Sequence, residues 1–551
     1  MGALRLPTGQ RVDRLAVFAF AVILVVTLAR VAATYTVFSH TVDEPAHVYA
    51  GQRFLAQGRA EIDLVHPPLA RLAVALGPTL VASRYAEACA LELCTGSRYW
   101  HMLIAARLGV LPFLALLLTT TWLWGWRIGG PAVATIAVTL LANLPPVLAH
   151  AGLATTDIPG AATLMLALFG FTLWLERPTT GHAVALGVAA SLAIGTKLSA
   201  VLFLPAGAVA LAIVQSLDSR SRPHLNLQVV RQFVLGSLVC VVGLWAIYGF
   251  TLNPIVGLRG VIAEGPAILR VSAFPLVELA RGVELLADQN AAPRPSYFMG
   301  EIASQGWWYF FPVMIAVKTP LPFLIMLAYG LIVALRRRHK AALAVACAAA
   351  LILAIGMMSR INIGLRHVIA FYPLASLVGA TGAAAAFGHG SRSWRAAAAA
   401  LCLWLAADVA LAHPDYLAYF NEPARADAPY FSADSDFDWG QDAGRLADEL
   451  VRRRIGHVAV ALSSAVKLPR IAAVETTDLW PSQPAQGWVA ASIGRILIDR
   501  VQPPYLGLRW LACQRPVARA GKTILLYHVA PGVDAAADHG CDWHRLAPPP
   551  N

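Results

Sequence analysis

The sequence predicts an all-α polytopic membrane protein with a small α/β domain near its C-terminal end. Of its 551 residues, 58% are hydrophobic and only 13% are charged, whereas soluble domains carry roughly 25% charged residues. The apolar residues also gather into runs close to the roughly 20 residues that a helix needs to span a bilayer. The mean hydropathy of +0.61 agrees with this pattern. The composition therefore excludes a water-soluble protein.

The apolar runs predict about eleven transmembrane helices. The first run follows Arg14 and is long enough to span the bilayer, and no small-residue cleavage site of a signal peptide accompanies it. We therefore expect it to remain as the first span. The predicted spans cover residues 14–35, 102–124, 130–150, 158–175, 182–196, 199–215, 232–250, 307–335, 341–358, 367–387 and 395–412.

Positive charge predicts which side of the membrane each connection occupies, because cytoplasmic loops carry an excess of Lys and Arg. One side of the predicted spans collects the basic clusters, namely Arg5, Arg11, Arg14, Arg127, Arg177, Arg220, Arg222, Arg231, the run from Arg336 to Lys340, Arg392 and Arg395. That side is predicted to be cytoplasmic, with the N-terminus, in a cell inner (plasma) membrane. The formal charge of +12 forms no basic face interleaved with aromatic residues, so nucleic acid is not an expected partner.

The domain boundary is predicted at about residue 412. Residues 1–412 form the transmembrane domain, with outer loops at 36–101 and 251–306. After about 413 the apolar runs shorten, and residues 455–464 and 523–529 have the pattern of buried strands. Residues 413–551 are therefore predicted to be a small extracytoplasmic α/β domain.

The cysteines divide between the predicted outer regions and the predicted spans. Cys89 and Cys94 fall in the first outer loop, and Cys513 and Cys541 fall in the C-terminal region. Even numbers outside the membrane fit two disulfides, because bridges form in oxidising compartments. The sequence leaves each pair open between a bridge and two free thiols, since spacing does not reveal disulfide geometry.

Several polar motifs fall on the predicted outer side. Asp43 and Glu44 directly follow the first span, and the segment from His66 to Arg71 (HPPLAR) comes about twenty residues later. Asp157 lies in a further outer turn. An isolated Asp-Glu pair is often a helix N-cap, and Asp157 before Pro159 is also typical of a helix start. The recurrence of these motifs on one side favours a functional site.

The combination of motifs resembles the protein O-mannosyltransferase and aminoarabinose transferase group of the C-type glycosyltransferase superfamily. In addition to the motifs above, the resemblance rests on residues 307–312 (WWYFFP), 318–320 (KTP), 366–373 (RHVIAFYP) and 434–442 (DSDFDWGQD). The chain departs from the family in having Arg71 where Lys is frequent and His367 where Tyr is usual. The first exchange keeps a phosphate-binding cation with different geometry, and the second removes an aromatic hydroxyl.

The resemblance implies that the acidic motif, the His-Pro-Pro segment and the second outer Asp surround a lipid-phosphate-sugar donor. Asp43 is then the predicted general base, and Glu44 orients Asp43 or the acceptor. The cations Arg71, Lys197 and Arg366 are predicted to stabilise the leaving phosphate, and His66 and Asp157 to shape the sugar or acceptor site. Lys197 has an alternative as a side chain that reaches the interface, and Arg366 as an anchor at a helix start.

Neither a metal nor a cofactor is predicted. Asp43, Glu44, Glu61 and Asp63 share the first outer loop, but they lack a tight ligand spacing. The acidic residues of segment 434–442 lack the full pattern of a calcium loop. A structural turn or a surface for the acceptor is the prediction for that segment.

The predicted function is sugar transfer, with inversion, from a polyprenyl-phosphate donor to a protein, glycan or lipid acceptor of the cell envelope on the extracytoplasmic face. The alternative from another class is a transporter or flippase, which predicts ionisable residues near the bilayer midplane and symmetric halves. Instead, the charges collect at one surface and no inverted repeat is visible. A scaffold for protein assembly is a third alternative, and the paired acidic loops disfavour it.

Overall fold

The computed structural model describes residues 13–83, 90–216, 227–254, 273–389, 391–464, 466–480, 485–498 and 507–533. Most of these residues are helical. The helices up to residue 411 are α1 (Arg14–Ala32), α2 (Glu44–Gln57), α3 (Pro68–Ala82), α4 (Gly96–Leu108), α5 (Leu111–Leu141), α6 (Pro145–Ala151), α7 (Asp157–Glu176), α8 (Thr180–Thr196), α9 (Ala200–Ser216), α10 (Leu227–Ile247), α11 (Val277–Ala291), α12 (Phe310–Lys318), α13 (Leu321–Arg336), α14 (Lys340–Met357), α15 (Phe371–Phe387) and α16 (Arg392–Leu411).

Six of the described helical stretches are long and apolar enough to cross a membrane. A seventh counts if α12 and α13, which meet at a bend of 116°, form one span. Every predicted apolar run contains a helix, but α8, α9 and α15 have fewer than 18 residues. Gly129 and Gly130 interrupt α5 with non-helical backbone angles, so two predicted runs meet within it. The count of about eleven spans stays a prediction.

The outward faces of the helices are apolar. Large apolar side chains of α1, α9, α10 and α16 are exposed, among them Leu15, Phe18, Val25, Leu202, Phe233, Leu238 and Leu403. Soluble proteins rarely expose contiguous apolar surface of this extent. With several membrane-long helices, this surface identifies a multi-pass membrane protein.

Small residues allow the central helices to pack closely. α5 and α13 both pack on α15. A Cβ atom added to Gly330 of α13 would lie 2.1 Å from the carbonyl oxygen of Val378 in α15, so the two backbones touch there. Close approach of this kind is a usual means of helix association in membranes. It makes α15 the centre of the bundle, and the residues just before α15 belong to the candidate site.

The segment after residue 411 contains a five-stranded mixed sheet. Its order is β6-β5-β7-β9-β8, with β5 parallel to both β6 and β7 and the remaining pairs antiparallel. The strands are β5 (His457–Ala461), β6 (Glu475–Asp478), β7 (Gly487–Ser492), β8 (Ala518–Ala520) and β9 (Ile524–Val529), and the helices are α17 (Ala428–Phe431), α18 (Ala443–Arg452), α19 (Ile493–Ile498) and α20 (Arg509–Ala512). Strands β5 and β9 lie inside the two predicted strand segments. The predicted boundary at 412 and the side of the membrane stay predictions.

Two pairs of short antiparallel strands belong to the second predicted outer loop: β1 (Leu252–Pro254) with β2 (Ala273–Pro275), and β3 (Ser296–Phe298) with β4 (Glu301–Ala303). The segment after α16 is fastened to the bundle at the bend between α12 and α13. The buried ammonium of Lys318 donates to the carbonyl oxygens of Leu417, at 2.6 Å, and Asp436. These contacts bring segment 434–442 against the helices.

Candidate active site

Four charged side chains from distant parts of the chain form one cluster. Arg366 Nη1 donates to Asp43 Oδ2 over 2.6 Å, and Lys197 Nζ donates to Asp157 Oδ1 over 2.6 Å. Lys197 Nζ also lies 3.2 Å from the carbonyl oxygen of Arg366, which joins the two ion pairs. Asp157, Lys197, Arg366 and the neighbouring His367 line one small cavity. We call these four charged residues, Asp43, Asp157, Lys197 and Arg366, the charged cluster.

The local structure around Asp43 leaves its carboxylate available to the cluster. Asp43 occupies the N-cap position of α2, yet its side chain makes no capping hydrogen bond. The carboxylate points to Arg366 instead and stays 31% exposed. The alternative that Asp43 merely caps the helix is therefore wrong.

Glu44, the next residue, points into the protein and is fully buried. Its two oxygens accept from Arg107 Nε and Nη2, at 2.8 and 2.9 Å, and from the backbone N–H groups of Thr41 and Ala154. Burial by itself would raise the pKa of Glu44, but Arg107 and these hydrogen bonds hold that pKa below its usual value. The expectation that Glu44 orients the acceptor is not compatible with this geometry, because the carboxylate is enclosed. Its contacts instead position the loop that carries Asp43.

Arg366 lies in a 3₁₀ turn (Leu365–Val368) just before α15. Its guanidinium stacks on the indole of Trp439, with Cζ 4.2 Å from the ring centroid. Both carboxylate oxygens of Asp436 accept from the backbone N–H of Leu365, at 2.9 and 3.0 Å. Arg366 is thus held from two sides in contact with Asp43, so it does more than anchor a helix start.

Segment 434–442 ties the loops of the charged cluster together. The carbonyl oxygens of Trp439 and Gln441 accept from the backbone N–H groups of Val42 and Ser39, which precede Asp43. The same segment supports Arg366 through Trp439. It therefore fixes the distance between Asp43 and Arg366.

The other carboxylates of this segment are engaged by protein donors. Asp438 Oδ2 accepts from Gly494 N at 2.9 Å and from Ser463 Oγ at 3.1 Å. Asp442 Oδ2 accepts from the backbone N–H groups of Lys522 and Thr523, at 2.8 and 3.1 Å. Of the two predictions for this segment, the structural turn agrees with these contacts.

Lys197 separates α8 from α9 and faces inward. Its ammonium lies between Asp157 and the backbone of Arg366. The aliphatic stem passes so close to α7 that a Cβ atom on Gly160 would lie 2.9 Å from it. The alternative that Lys197 reaches out to the membrane interface is wrong.

Asp157 begins α7 and is buried. Its second oxygen accepts from Thr155 Oγ1 at 3.0 Å and lies 3.6 Å from His150 Nδ1. The N-cap position belongs to Thr156, and no side-chain capping bond forms there. Asp157 is therefore not the N-cap residue of α7, and its carboxylate contacts Lys197, Thr155 and His150.

Arg71 and His66 form a neighbouring group around Asp63. The buried guanidinium of Arg71 donates to the carbonyl oxygens of Ile62 and Asp63, at 2.8 and 2.9 Å, and to the Asp63 carboxylate. His66 Nδ1 lies 2.9 Å from the same carboxylate. Among the described residues, no hydrogen bond or ion pair joins Arg71 or His66 to the charged cluster. The phosphate role of Arg71 and the acceptor-site role of His66 stay predictions.

The cysteines follow the predicted division in part. Cys94 and Cys513 are disulfide-bonded, whereas Cys240, Cys347 and Cys402 are free. Cys89 and Cys541, the predicted partners, lie outside the described residues. Both pairings therefore stay predictions.

No three His, Cys, Asp or Glu side chains of the described residues converge as metal ligands. The acidic side chains of the charged cluster are paired with cations, and those of segment 434–442 largely accept from backbone and side-chain donors. This arrangement does not test the prediction that the chain needs no metal.

Three residues at the site were not singled out from the sequence. Arg107 stands within an apolar run, and an arginine in such a run is itself a signal of a buried partner. His150 has no comparable signal, because only folding brings it beside Asp157. Asp434 belongs to the acidic segment, and its half-buried carboxylate interacts electrostatically with Arg366 and Asp43.

No protein-family model matches the chain, and no curated protein matches it in sequence. Among solved structures, ArnT from Cupriavidus metallidurans bound to undecaprenyl phosphate is similar over 93% of this chain and 97% of its own, with 15% identity and a TM-score of 0.47. The oligosaccharyltransferase AglB from Archaeoglobus fulgidus, in complex with an inhibitory peptide and a dolichol-phosphate, is similar over 88% of this chain and 72% of its own, with 13% identity and a TM-score of 0.44. Both neighbours are C-type glycosyltransferases. Similarity at this level leaves function to be argued from the chain's own residues.

Proposed function

We propose that the chain is a glycosyltransferase that moves a sugar from a polyprenyl-phosphate donor to an envelope acceptor on the extracytoplasmic face of the membrane. The observation that carries this proposal is the charged cluster, where a partly exposed carboxylate meets Arg366, and Arg366 and Lys197 line one cavity. A base and a phosphate-binding site are what such a transfer requires. The motifs of the sequence support the same chemistry by resemblance.

The reaction is a single in-line displacement. Asp43 takes the proton from the acceptor's O–H or N–H group as that atom forms a bond to the anomeric carbon. The bond between the anomeric carbon and the phosphate oxygen breaks, and its electron pair leaves with the lipid phosphate. Because attack and departure occur on opposite faces of the sugar, the anomeric configuration inverts.

Two cations receive the leaving phosphate. Lys197 and Arg366 line the cavity beside Asp157, and each now pairs with a carboxylate. A phosphate that enters between them exchanges part of these contacts for its own, and charge-assisted hydrogen bonds of this kind are strong. Asp157 keeps Lys197 in place, while Glu44 and Trp439 position the loops of Asp43 and Arg366.

The disulfide-bonded cysteines and the basic clusters support the proposed orientation of the chain in the membrane. Cys94 and Cys513 are disulfide-bonded, which suits an oxidising, extracytoplasmic compartment. The basic run from Arg336 to Lys340 lies between α13 and α14, one span away from the bend at Lys318. We infer an inner-membrane enzyme of about eleven spans whose site and C-terminal domain, residues 413–551, face outward.

Transfer of radiolabelled sugar tests the proposal directly. The purified full chain is incubated with synthetic polyprenyl-phosphate sugars and with envelope extracts as the acceptor. Label in the acceptor that depends on the enzyme is the expected result. If no donor supports transfer, while proteoliposomes of the same chain move a lipid-linked sugar across the bilayer, the flippase alternative is correct.

Replacing Lys197 by glutamine is expected to raise the KM for the lipid-phosphate donor by about tenfold or more, because a hydrogen bond to a charged group contributes about 1.5–3 kcal/mol. Steady-state kinetics with varied donor concentration measure the effect. Lys340→Gln, a lysine at the predicted cytoplasmic end of α14, is the matched control. An unchanged donor KM in Lys197→Gln would remove Lys197 from the phosphate site.

We expect donor binding to depend on pH because of the carboxyl group of Asp434. Burial raises the pKa of Asp434 to about 6, although the Ser435 N–H and Arg366 act in the opposite direction. Above this pH the ionised Asp434 competes with the donor phosphate for Arg366, beside the existing charges of Asp43 and Asp436. We therefore expect the donor KM to rise as the pH increases through about 6, and to stay at its low-pH value in Asp434→Asn. A wild-type KM that stays constant between pH 5 and 7.5 contradicts this role.

A further inference from the structure

A second candidate site lies at the carboxyl edge of the five-stranded sheet, separate from the cavity of the charged cluster. The crevice is formed by residues that follow β5, by the end of β6 and by α19. Its polar and aromatic lining includes Ser464, Lys467, Asp478, Trp480 and Arg495.

Sheet topology explains why a crevice opens at this edge. Strand β5 lies between β6 and β7 and is parallel to both, so the carboxyl ends of all three strands meet at one edge. The chain crosses from β6 on one side of β5 to β7 on the other. In open α/β sheets, ligands bind outside the carboxyl ends of the strands where the strand order reverses in this way.

The chemistry of the lining suits a saccharide. The indole of Trp480 is 64% exposed, and an exposed aromatic face at a crevice offers a flat apolar surface with a polar edge. The side chains of Asp478 and Lys467 are exposed and make no hydrogen bond or ion pair with another residue in the described part of the chain. The Asp478 carboxylate can accept hydrogen bonds and the Lys467 ammonium can donate them, and together they carry no net charge. A sugar ring presents the complement, an apolar C–H face surrounded by hydroxyl groups.

Loops beside the crevice pack on segment 434–442, which supports Arg366 of the charged cluster. Asp438, of the segment that supports Arg366, accepts from Ser463 Oγ and Gly494 N, which flank the crevice residues. A Cβ atom on Gly440 would lie 2.7 Å from Cα of Ser464. A ligand in the crevice therefore contacts loops that pack directly on segment 434–442.

We propose that this crevice is a saccharide-binding subsite in which Trp480 stacks on a sugar ring and Asp478 and Lys467 bind its hydroxyl groups. The saccharide is part of the acceptor, and this last assignment rests on the proposed function. The binding itself does not, because it uses none of the residues of the charged cluster.

Isothermal titration calorimetry of saccharide binding to the purified full chain tests the subsite. The probes are chitotetraose, maltotetraose and mannotetraose as neutral saccharides and trigalacturonic acid as an acidic one. We expect at least one probe to bind wild type. The same probe should bind Trp480→Ala with a Kd at least about tenfold higher, since truncation of a tryptophan at a binding centre commonly costs that much. Asp478→Asn is expected to weaken binding to a smaller extent.

Trp308→Ala is the matched control, because Trp308 is 68% exposed but lies outside the crevice; it should bind as wild type does. Asp43→Asn should also keep saccharide binding. Binding of no probe, or equal binding by wild type and Trp480→Ala, overturns the subsite. Wild type that transfers sugar without binding any probe refutes the crevice alone, whereas binding without transfer from any donor refutes the proposed function alone.

Discussion

Asp43→Asn is expected to lower kcat for sugar transfer by about 10²- to 10⁴-fold, the usual contribution of a positioned general base. The asparagine keeps the size of the side chain and an oxygen that accepts from Arg366, but it does not take a proton at neutral pH. The donor KM should change little, because Lys197 and Arg366 remain. The steady-state rate of transfer of labelled sugar, at saturating donor and acceptor, measures the effect.

The controls for this result separate chemistry from folding. Asp448→Asn, at an exposed carboxylate of α18, should transfer sugar as wild type does. The thermal unfolding midpoint of Asp43→Asn in detergent should stay much closer to the wild-type value than that of Glu44→Gln, because Asp43 is partly exposed and the asparagine oxygen still accepts from Arg366. A folded Asp43→Asn protein with full activity would move the base elsewhere, and Asp434 would be the next carboxylate to replace.

Glu44→Gln is expected to destabilise the protein by about 3–5 kcal/mol, the usual cost of removing one partner from a buried ion pair. Both Glu44 and Arg107 are fully buried, so the substitution leaves the charge of Arg107 without a counter-ion. Thermal unfolding monitored in detergent, with the yield of folded protein, measures the change.

Two further variants sharpen this second experiment. Glu44→Gln combined with Arg107→Met should recover part of the lost stability, because the double variant buries no unpaired charge. Glu449→Gln, which breaks an ion pair to the exposed Arg452, should cost less than about 1 kcal/mol. If Glu44→Gln is as stable as Glu449→Gln and yet fails to transfer sugar, Glu44 belongs to the chemistry.

Asp43 and Glu44 show the limit of prediction from sequence at this site. The sequence places two adjacent carboxylates at the end of the first span, but successive residues at a helix start point in different directions. Only packing reveals that the Asp43 carboxylate stays partly exposed beside Arg366, whereas that of Glu44 is enclosed. The deciding partner of Glu44, Arg107, lies 63 residues further along the chain, and that of Asp43 lies 323 residues away.

Segment 434–442 also has contacts that its sequence does not predict. Its acidic composition allowed a turn, an acceptor surface or a calcium loop. The contacts of Asp436, Asp438 and Asp442 with backbone donors agree with the turn, because carboxylates that accept protein hydrogen bonds hold the segment in shape. The support that Trp439 gives to Arg366 has no signal in the spacing of the sequence.

Local patterns in the sequence are enough to predict the membrane class, the positions of the apolar helices, two strands of the sheet and a place for Asp43, Asp157, Lys197 and Arg366 in the candidate site. These properties are local, since the length and polarity of a segment decide whether it crosses a bilayer as a helix. The tertiary structure alone decided which carboxylate pairs with which cation, which of two neighbours is buried, and where the crevice beside β5 opens. Such pairings depend on how segments hundreds of residues apart pack together, and no local pattern records that.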